Sequence, residues 1–134
     1  ACGDATRITA IKSQLTGPAQ DDFFLLSGED AQTLEMMTLG AAGAISVTAN
    51  VLPKLMSEFC ASYLKGDHER AQNLDARLQP VHDALFLESS PTPTKWVLSE
   101  LGRMQAGIRL PLIPLSVQHH EKVRDAVTTA GAAE

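Results

Sequence analysis

Phe23-Phe24-Leu25-Leu26-Ser27-Gly28 and Gly43-Ala44-Ile45-Ser46-Val47-Thr48-Ala49-Asn50 are two short stretches that each contain a continuous apolar run. Such runs are typical of parallel strands that are buried on both faces. Residues 29–39, between them, carry apolar residues at helical spacing, and Gly40 is a typical left-handed helix stop. A helix joining two strands roughly 20 residues apart is the pattern of a βαβ unit. The sequence therefore predicts strand, helix and strand in this segment.

Helices are predicted on both sides of this unit. Asp4 is the expected N-cap of the first, and Asn50 is the expected N-cap of a helix that carries Pro53 in its first turn and ends at Gly66. No strand signal follows. Further helices are expected at Asp67–Phe86, with the apolar stripe Leu74, Leu78, Val81 and Leu85, at about Thr94–Leu101 and at Val117–Thr129. Between them lie a break at Ser89–Pro93 and an extended connector at Leu110–Leu115.

Two parallel strands do not form a stable sheet by themselves. The pattern therefore implies further strands, supplied by missing sequence or by another chain. We predict an α/β fold with two parts. Residues 1–66 form a partial barrel segment of helix, strand, helix, strand and helix. Residues 67–134 form a C-terminal helical extension.

The composition is that of an ordinary small domain. The 134 residues have a formal net charge of −5, and no Lys/Arg-rich run is present, which argues against a nucleic-acid partner. No apolar stretch approaches the ~18 residues that span a bilayer, so we expect no membrane segment and a cytoplasmic protein. Cys2 and Cys60 are expected to be reduced thiols, with Cys60 a small core residue.

The chain resembles, over nearly its whole length, the C-terminal half of the dihydrodipicolinate synthases (4-hydroxy-tetrahydrodipicolinate synthases). These belong to the pyruvate-dependent aldolase superfamily that includes N-acetylneuraminate lyase. The resemblance is carried by five segments: Gly3-Asp4 with Arg7, Leu26–Asp30, Gly43–Asn50, Pro91–Lys95 and Arg109–Leu112. It implies that the two predicted strands are the last two of a (β/α)8 TIM barrel.

The resemblance also implies a function. Family members condense pyruvate with L-aspartate 4-semialdehyde in lysine and diaminopimelate biosynthesis, through a Schiff base on a lysine that ends the sixth strand. That lysine is expected two residues before Ala1, so this chain is expected to hold no catalytic residue. The expected substrate-binding residues are Gly28, at the end of the seventh strand, and Ile45, whose backbone carbonyl would face the keto acid. Barrel active sites gather at these strand ends.

The same resemblance implies no metal and no organic cofactor, because the lysine itself is the electron sink. The implied partners are the two substrates, the N-terminal half of the barrel and further copies in a cytoplasmic homotetramer. The isolated chain is expected to be inactive.

The remaining candidate side chains favour structural roles. None of the five lysines (Lys12, Lys54, Lys65, Lys95 and Lys122) follows an apolar strand, as a Schiff-base lysine would. His119 and His120 point to different faces of a helix and are expected to be surface residues rather than metal ligands. His68 and His82 are expected to be structural. Glu29 and Asp30 suit a helix N-terminus.

Two other functions remain open at this point. The chain could belong to a sugar-acid aldolase of the same superfamily, although Arg109–Leu112 favours the synthase. It could also be a non-catalytic remnant with an assembly role.

Overall fold

The structure, a computed structural model, describes residues 3–17 and 22–131, and helices dominate these ranges. The helices are α1 (Thr6–Lys12), α2 (Thr33–Thr38), α3 (Pro53–Leu64), α4 (His68–Ala84), α5 (Thr92–Glu100) and α6 (Val117–Thr129). Single 3-10 turns, Asp30–Gln32 and Thr48–Asn50, precede α2 and α3.

Helices α3 and α4 form the centre of the fold and pack against each other, and α6 packs on α4. The core is built from side chains that are fully buried, among them Val51, Phe59, Leu78, Val81, Leu85 and Val123. The stripe predicted for α4 is confirmed, because Leu74, Leu78, Val81 and Leu85 are all buried.

The connection between α3 and α4 follows from its residues. Helix α3 ends where Gly66 takes a φ of 83°, a left-handed conformation that glycine adopts without a steric penalty. The amide of Asp67 then donates to the carbonyl of Ser62, which closes the last turn. The side chain of Asp67 caps α4 by accepting from the amide of Arg70 at 3.2 Å. The chain therefore reverses within a few residues.

The two predicted strands are not formed as strands. In the described ranges, pairing is limited to one parallel bridge, between Ser27 and Ala44. Buried parallel strands need a hydrogen-bonded neighbour and apolar cover on both faces. Here the side chains of Phe23, Phe24, Leu26 and Ile45 are between 46% and 74% exposed. The pairing between the two segments is parallel, as predicted, but the described residues do not supply the neighbours that would extend the ladder.

The helix predicted for residues 29–39 is a 3-10 turn followed by α2, which begins at Thr33. Two further predicted helix starts were wrong, and proline explains both. Helix α3 begins at Pro53 and not after Asn50. Proline disfavours helical geometry in the residue before it, and Leu52 accordingly has φ −123° and ψ 60°. Helix α5 begins at Thr92 rather than Thr94, because Pro93 is tolerated in a first turn, where its missing N–H has no helical partner to lose. Helix α6 matches its predicted bounds.

Among the described residues, no helix has the length and apolarity that crossing a bilayer requires. The predicted division of the chain at residue 66 stays a prediction.

Candidate functional site

The predicted binding residues Gly28 and Ile45 lie side by side at one end of the paired segments. The amide of Ser27 donates to the carbonyl of Gly43 at 2.8 Å, and the amide of Ile45 donates to the carbonyl of Ser27 at 2.8 Å. The segments are therefore parallel, and both enter their following turns at this end. Gly28 is exposed, and the Ile45 side chain is 74% exposed. We refer to Gly28 and Ile45 together as the pocket floor; their role in binding substrate stays a prediction.

The turn after Gly28 is held by buried hydroxyl groups. Ser27, which is fully buried, donates through Oγ to the carbonyl of Glu29 at 2.8 Å and accepts from the Glu29 amide at 3.1 Å. Thr33 Oγ1 donates to the same carbonyl at 3.1 Å. Hydroxyl groups of this kind satisfy backbone groups that a turn leaves without helical partners. The backbone on the C-terminal side of Gly28 is therefore fixed locally.

The turn after Ile45 is tied to the turn after Gly28. Ser46 Oγ accepts from the amide of Ala49 at 2.9 Å, which begins the 3-10 turn. The amide of Thr48 donates to Asp30 Oδ2 at 2.9 Å, and Asp30 is only 4% exposed. Asp30 lies in the first turn of its own helical segment, as predicted. Its carboxylate also bonds to the amide of the other turn, so one carboxylate links the two halves of the pocket floor.

His82 of α4 completes this arrangement. Its Nδ1 lies 2.8 Å from Thr48 Oγ1, and the ring is 1% exposed. We call Asp30, Thr48 and His82 the buried polar network. Asp30 Oδ1 and His82 Nε2 are also buried and have no hydrogen-bond partner among the described residues. An unsatisfied buried polar atom costs free energy, so these two atoms make the network less stable than a fully hydrogen-bonded one would be.

The electrostatics of this region follow from burial. Desolvation lowers the pKa of His82, and the negative charges of Asp30, Asp75, Asp83 and Glu29 oppose that shift without cancelling it. Desolvation raises the pKa of Asp75, partly offset by its hydrogen bond to Gln79 and by His82. Desolvation, with the nearby Asp30, also raises the pKa of the half-buried Cys60 thiol. The His82 ring is therefore neutral near pH 7, and Cys60 is a thiol.

Stability is expected to fall as the solution becomes mildly acidic. Because the pKa of folded His82 is lowered from its ordinary value near 6.5, the unfolded chain binds more protons between the two values. The free energy of unfolding should therefore decrease as pH falls below ~6.5, by at most about 1.4 kcal/mol per pH unit. Urea unfolding measured between about pH 7.5 and about pH 5.5 checks this slope.

The matched variants are His82→Asn, which should flatten the slope, and His68→Asn at an exposed position, which should keep it. An unchanged slope in His82→Asn would assign the effect to another group. The raised pKa of Asp75 works in the opposite direction, because protonation of that carboxyl favours the folded state.

The other candidates lie away from the pocket floor. All five lysines are on helices or at a helix end; four are exposed and Lys95 is half-buried. No group of three or more His, Cys, Asp or Glu side chains in the described residues could hold a metal ion. A cleft of about 200 Å³ beside the start of α3 contains Arg77 and Arg103, but each already donates to a backbone carbonyl, of Ala130 and Val51 respectively.

The two adjacent histidines are less exposed than expected. His119 and His120 are half-buried: His119 lies 3.7 Å from Glu88 Oε1, and His120 stacks on Trp96 with ring centroids 4.4 Å apart. Their rings do point to different partners, as predicted. Cys60 is half-buried and packs against the core, whereas Cys2 lies outside the described residues.

Sequence reasoning missed the connection between Asp30 and His82, which runs through Thr48. A signal for His82 was present, because it follows Leu78 by four residues and precedes Leu85 by three, which places it on the buried stripe of α4. No comparable signal exists for Asp30, since its partner amide is 18 residues away.

Comparison with known proteins bears on this geometry. The model of the dihydrodipicolinate synthetase family matches residues 1–130. A 4-hydroxy-tetrahydrodipicolinate synthase of Ectopseudomonas mendocina is 46% identical over 131 residues, which is 98% of this chain and 44% of the relative. A synthase with the same name from Pseudomonas savastanoi pv. phaseolicola is 51% identical over 110 residues, covering 82% of this chain and 38% of the relative.

A solved structure agrees with these relatives. The dihydrodipicolinate synthase of Acinetobacter baumannii, in a complex with pyruvate, superposes with a TM-score of 0.87 at 43% identity, over 98% of this chain and 44% of that one. The chain therefore spans less than half the length of the proteins it matches.

Proposed function

The chain belongs to the dihydrodipicolinate synthetase family, and on that basis we propose that it forms the C-terminal part of a (β/α)8-barrel lyase. The proposed reaction condenses pyruvate with L-aspartate 4-semialdehyde to give 4-hydroxy-tetrahydrodipicolinate. The observation that supports it best is the Ser27–Ala44 bridge, because it brings Gly28 and Ile45 together at the end of two parallel segments. Substrates bind at this end of the strands in barrel enzymes.

We propose that the paired segments are the last two strands of the barrel. Their apolar side chains, notably Phe24 and Ile45, are more than 70% exposed, and each would be covered once neighbouring strands extend the sheet. An exposed strand edge is a template for pairing with further strands. The N-terminal part of the barrel is therefore the proposed partner of this surface.

In this proposal the pocket floor binds the keto acid, and the amine that attacks it belongs to the rest of the barrel. The lysine is proposed to lie two residues before Ala1. Supporting this assignment, all five lysines of this chain sit on helices or at a helix end, whereas a Schiff-base amine needs an apolar or cation-lined pocket to lower its pKa. At the pocket floor, Gly28 has no side chain, which permits close approach of a small substrate.

The chemistry itself would need neither a metal nor an organic cofactor, because the protonated imine withdraws electrons from the pyruvate carbon that attacks the aldehyde. The family resemblance further suggests a cytoplasmic homotetramer. Sedimentation of the assembled protein would measure the number of copies.

Borohydride trapping tests this division of roles. Incubating the chain alone with pyruvate and sodium borohydride is expected to give no covalent adduct, because all five of its lysines sit on helices or at a helix end. When a polypeptide carrying the N-terminal part of a matched relative is added, the reduced pyruvate adduct is expected on that polypeptide. Intact-mass spectrometry of each polypeptide locates the adduct.

Two results would contradict the proposal. An adduct on the isolated chain would show that one of its own lysines is the nucleophile. An assembly that binds pyruvate but accepts a sugar-acid aldehyde in place of aspartate semialdehyde would assign it to another aldolase of the superfamily.

A further inference from the structure

The buried polar network joins three elements that the chain separates widely. Asp30 follows the first paired segment, Thr48 follows the second, and His82 belongs to α4. The link from Asp30 to Thr48 spans 18 residues, and that from Thr48 to His82 spans 34. Each of the three side chains is at most 4% exposed. These bonds are therefore screened little by solvent, and their partners cannot be replaced easily by water.

The pocket floor is held together internally by backbone bonds. The amide of Ile45 donates to the carbonyl of Ser27, the amide of Ser27 donates to the carbonyl of Gly43, and the amide of Ala42 donates to the carbonyl of Leu25, each at 2.8 Å. The 3-10 turn after Ile45 contains only three residues. Helices shorter than about 12 residues do not hold their geometry without tertiary contacts. The backbone bonds therefore set Ile45 relative to Gly28, whereas the turn that follows Ile45 depends on the side-chain bonds that meet at Thr48.

Thr48 is the residue through which these bonds act. Its amide is bound by Asp30, and its hydroxyl is bound by His82. Asp30 connects the two turns to each other, and Gln79 of α4 donates to the carbonyl of Ala31 in the first turn at 3.0 Å. The bond to His82 ties the second turn to α4 directly, and α4 is anchored through its buried apolar stripe.

We propose that His82 is a positioning residue: through Thr48 it fixes the turn after Ile45 to α4, so that the helical region sets the geometry of the pocket floor. The effect on the backbone is a property of this chain alone. Its consequence for pyruvate binding rests on the function proposed above.

Four carboxylates influence the His82 ring: Asp30 and Glu29 from the turn after Gly28, and Asp75 and Asp83 from α4 itself. In the tautomer in which Nδ1 accepts from the Thr48 hydroxyl, protonating the ring removes that acceptor. Acidification should therefore disturb the bond to the Thr48 hydroxyl, and the amides of Ile45 and Thr48 should respond at the pH at which the ring titrates.

Amide hydrogen exchange on the intact chain tests the proposal without any activity. In Thr48→Val, which keeps the shape but loses the hydroxyl, exchange at Ile45 and Thr48 should become at least about tenfold faster, relative to the core amides of Phe59 and Leu78. Thr48→Ser keeps a hydroxyl and should restore slow exchange. His82→Asn retains a polar atom near the Nδ1 position and should likewise keep exchange slow. His82→Leu retains none and should accelerate it.

A purely structural role would accelerate all of these amides by the same factor, and that result would overturn the proposal. If a variant fails to fold, a second measurement on the unchanged sequence still tests the proposal. The amide chemical shifts of Ile45 and Thr48 should follow the titration of the His82 ring, and shifts that ignore this titration would also overturn it.

The assembled enzyme gives a separate readout. If the proposed function holds, His82→Leu should raise the KM for pyruvate about tenfold with a smaller change in kcat, and His82→Asn should recover most of the loss. Failure of pyruvate trapping combined with the expected exchange pattern would reject the function and leave the positioning role standing. Normal trapping with an unchanged exchange pattern would reject the positioning role and leave the proposed function standing.

Discussion

Phe59→Ala is expected to lower the free energy of unfolding by about 3–5 kcal/mol, because it removes a large aromatic side chain from a site with no access to solvent. Phe59 is 0% exposed and lies in α3, the helix that packs on α4 at the centre of the fold. The cavity would border the apolar stripe of α4, which is anchored on several sides and has little room to collapse. A loss of this size is comparable to the whole stability of many small domains.

The measurement is urea unfolding followed by circular dichroism and by the fluorescence of Trp96. The matched control is Phe24→Ala, which makes the same change at a side chain that is 73% exposed. It should alter the free energy of unfolding by no more than about 0.5 kcal/mol. Equal effects of the two variants would contradict the assignment of the core to the α3–α4 interface.

The helical region could be predicted from the sequence because its signals are local. The stripe on α4, the glycine stop at Gly66 and the bounds of α6 depend on residues within a few turns of one another, where spacing alone determines the face. The starts of α3 and α5 were missed by a few residues, since the influence of Pro53 and Pro93 on the first turn competes with the capping preference of polar residues.

The paired segments illustrate what local signals leave out. The apolar runs at Phe23–Leu26 and Ala44–Val47 predicted two parallel strands, and their parallel pairing is confirmed by the bridge between Ser27 and Ala44. A strand, however, is defined by its neighbours as much as by its own residues. Where residues 3–17 and 22–131 provide one partner only, the predicted strands reduce to a bridge.

The candidate site was predictable in part for the same reason. The family resemblance implied Gly28 and Ile45. Gly28 lies just after the first apolar run and Ile45 lies within the second, so their juxtaposition follows from parallel pairing. The network behind them does not, because hydrogen bonds between Asp30, Thr48 and His82 join residues distant in sequence. Each of these residues has an ordinary local explanation, and only the folded chain shows that they contact one another.

Phe24→Asp is expected to weaken assembly with the N-terminal part of the barrel strongly while leaving this chain folded. Phe24 is 73% exposed here, so a carboxylate at this position stays in water and should change the free energy of unfolding by no more than about 0.5 kcal/mol. In the proposed barrel the same position lies under neighbouring strands. Burial of an unpaired carboxylate there would cost several kcal/mol, which weakens association by about 100-fold or more.

Titrating the labelled N-terminal polypeptide of a matched relative with this chain, and following pyruvate trapping in the same samples, measures that loss. Val117→Asp is the matched control, since Val117 is 80% exposed and lies in the first turn of α6, where a negative charge is favoured by the helix dipole. It should assemble and trap pyruvate like the unchanged chain. If Phe24→Asp assembles equally well, the exposed apolar edge is not the surface that completes the barrel, and the pocket floor would have to be completed from another side.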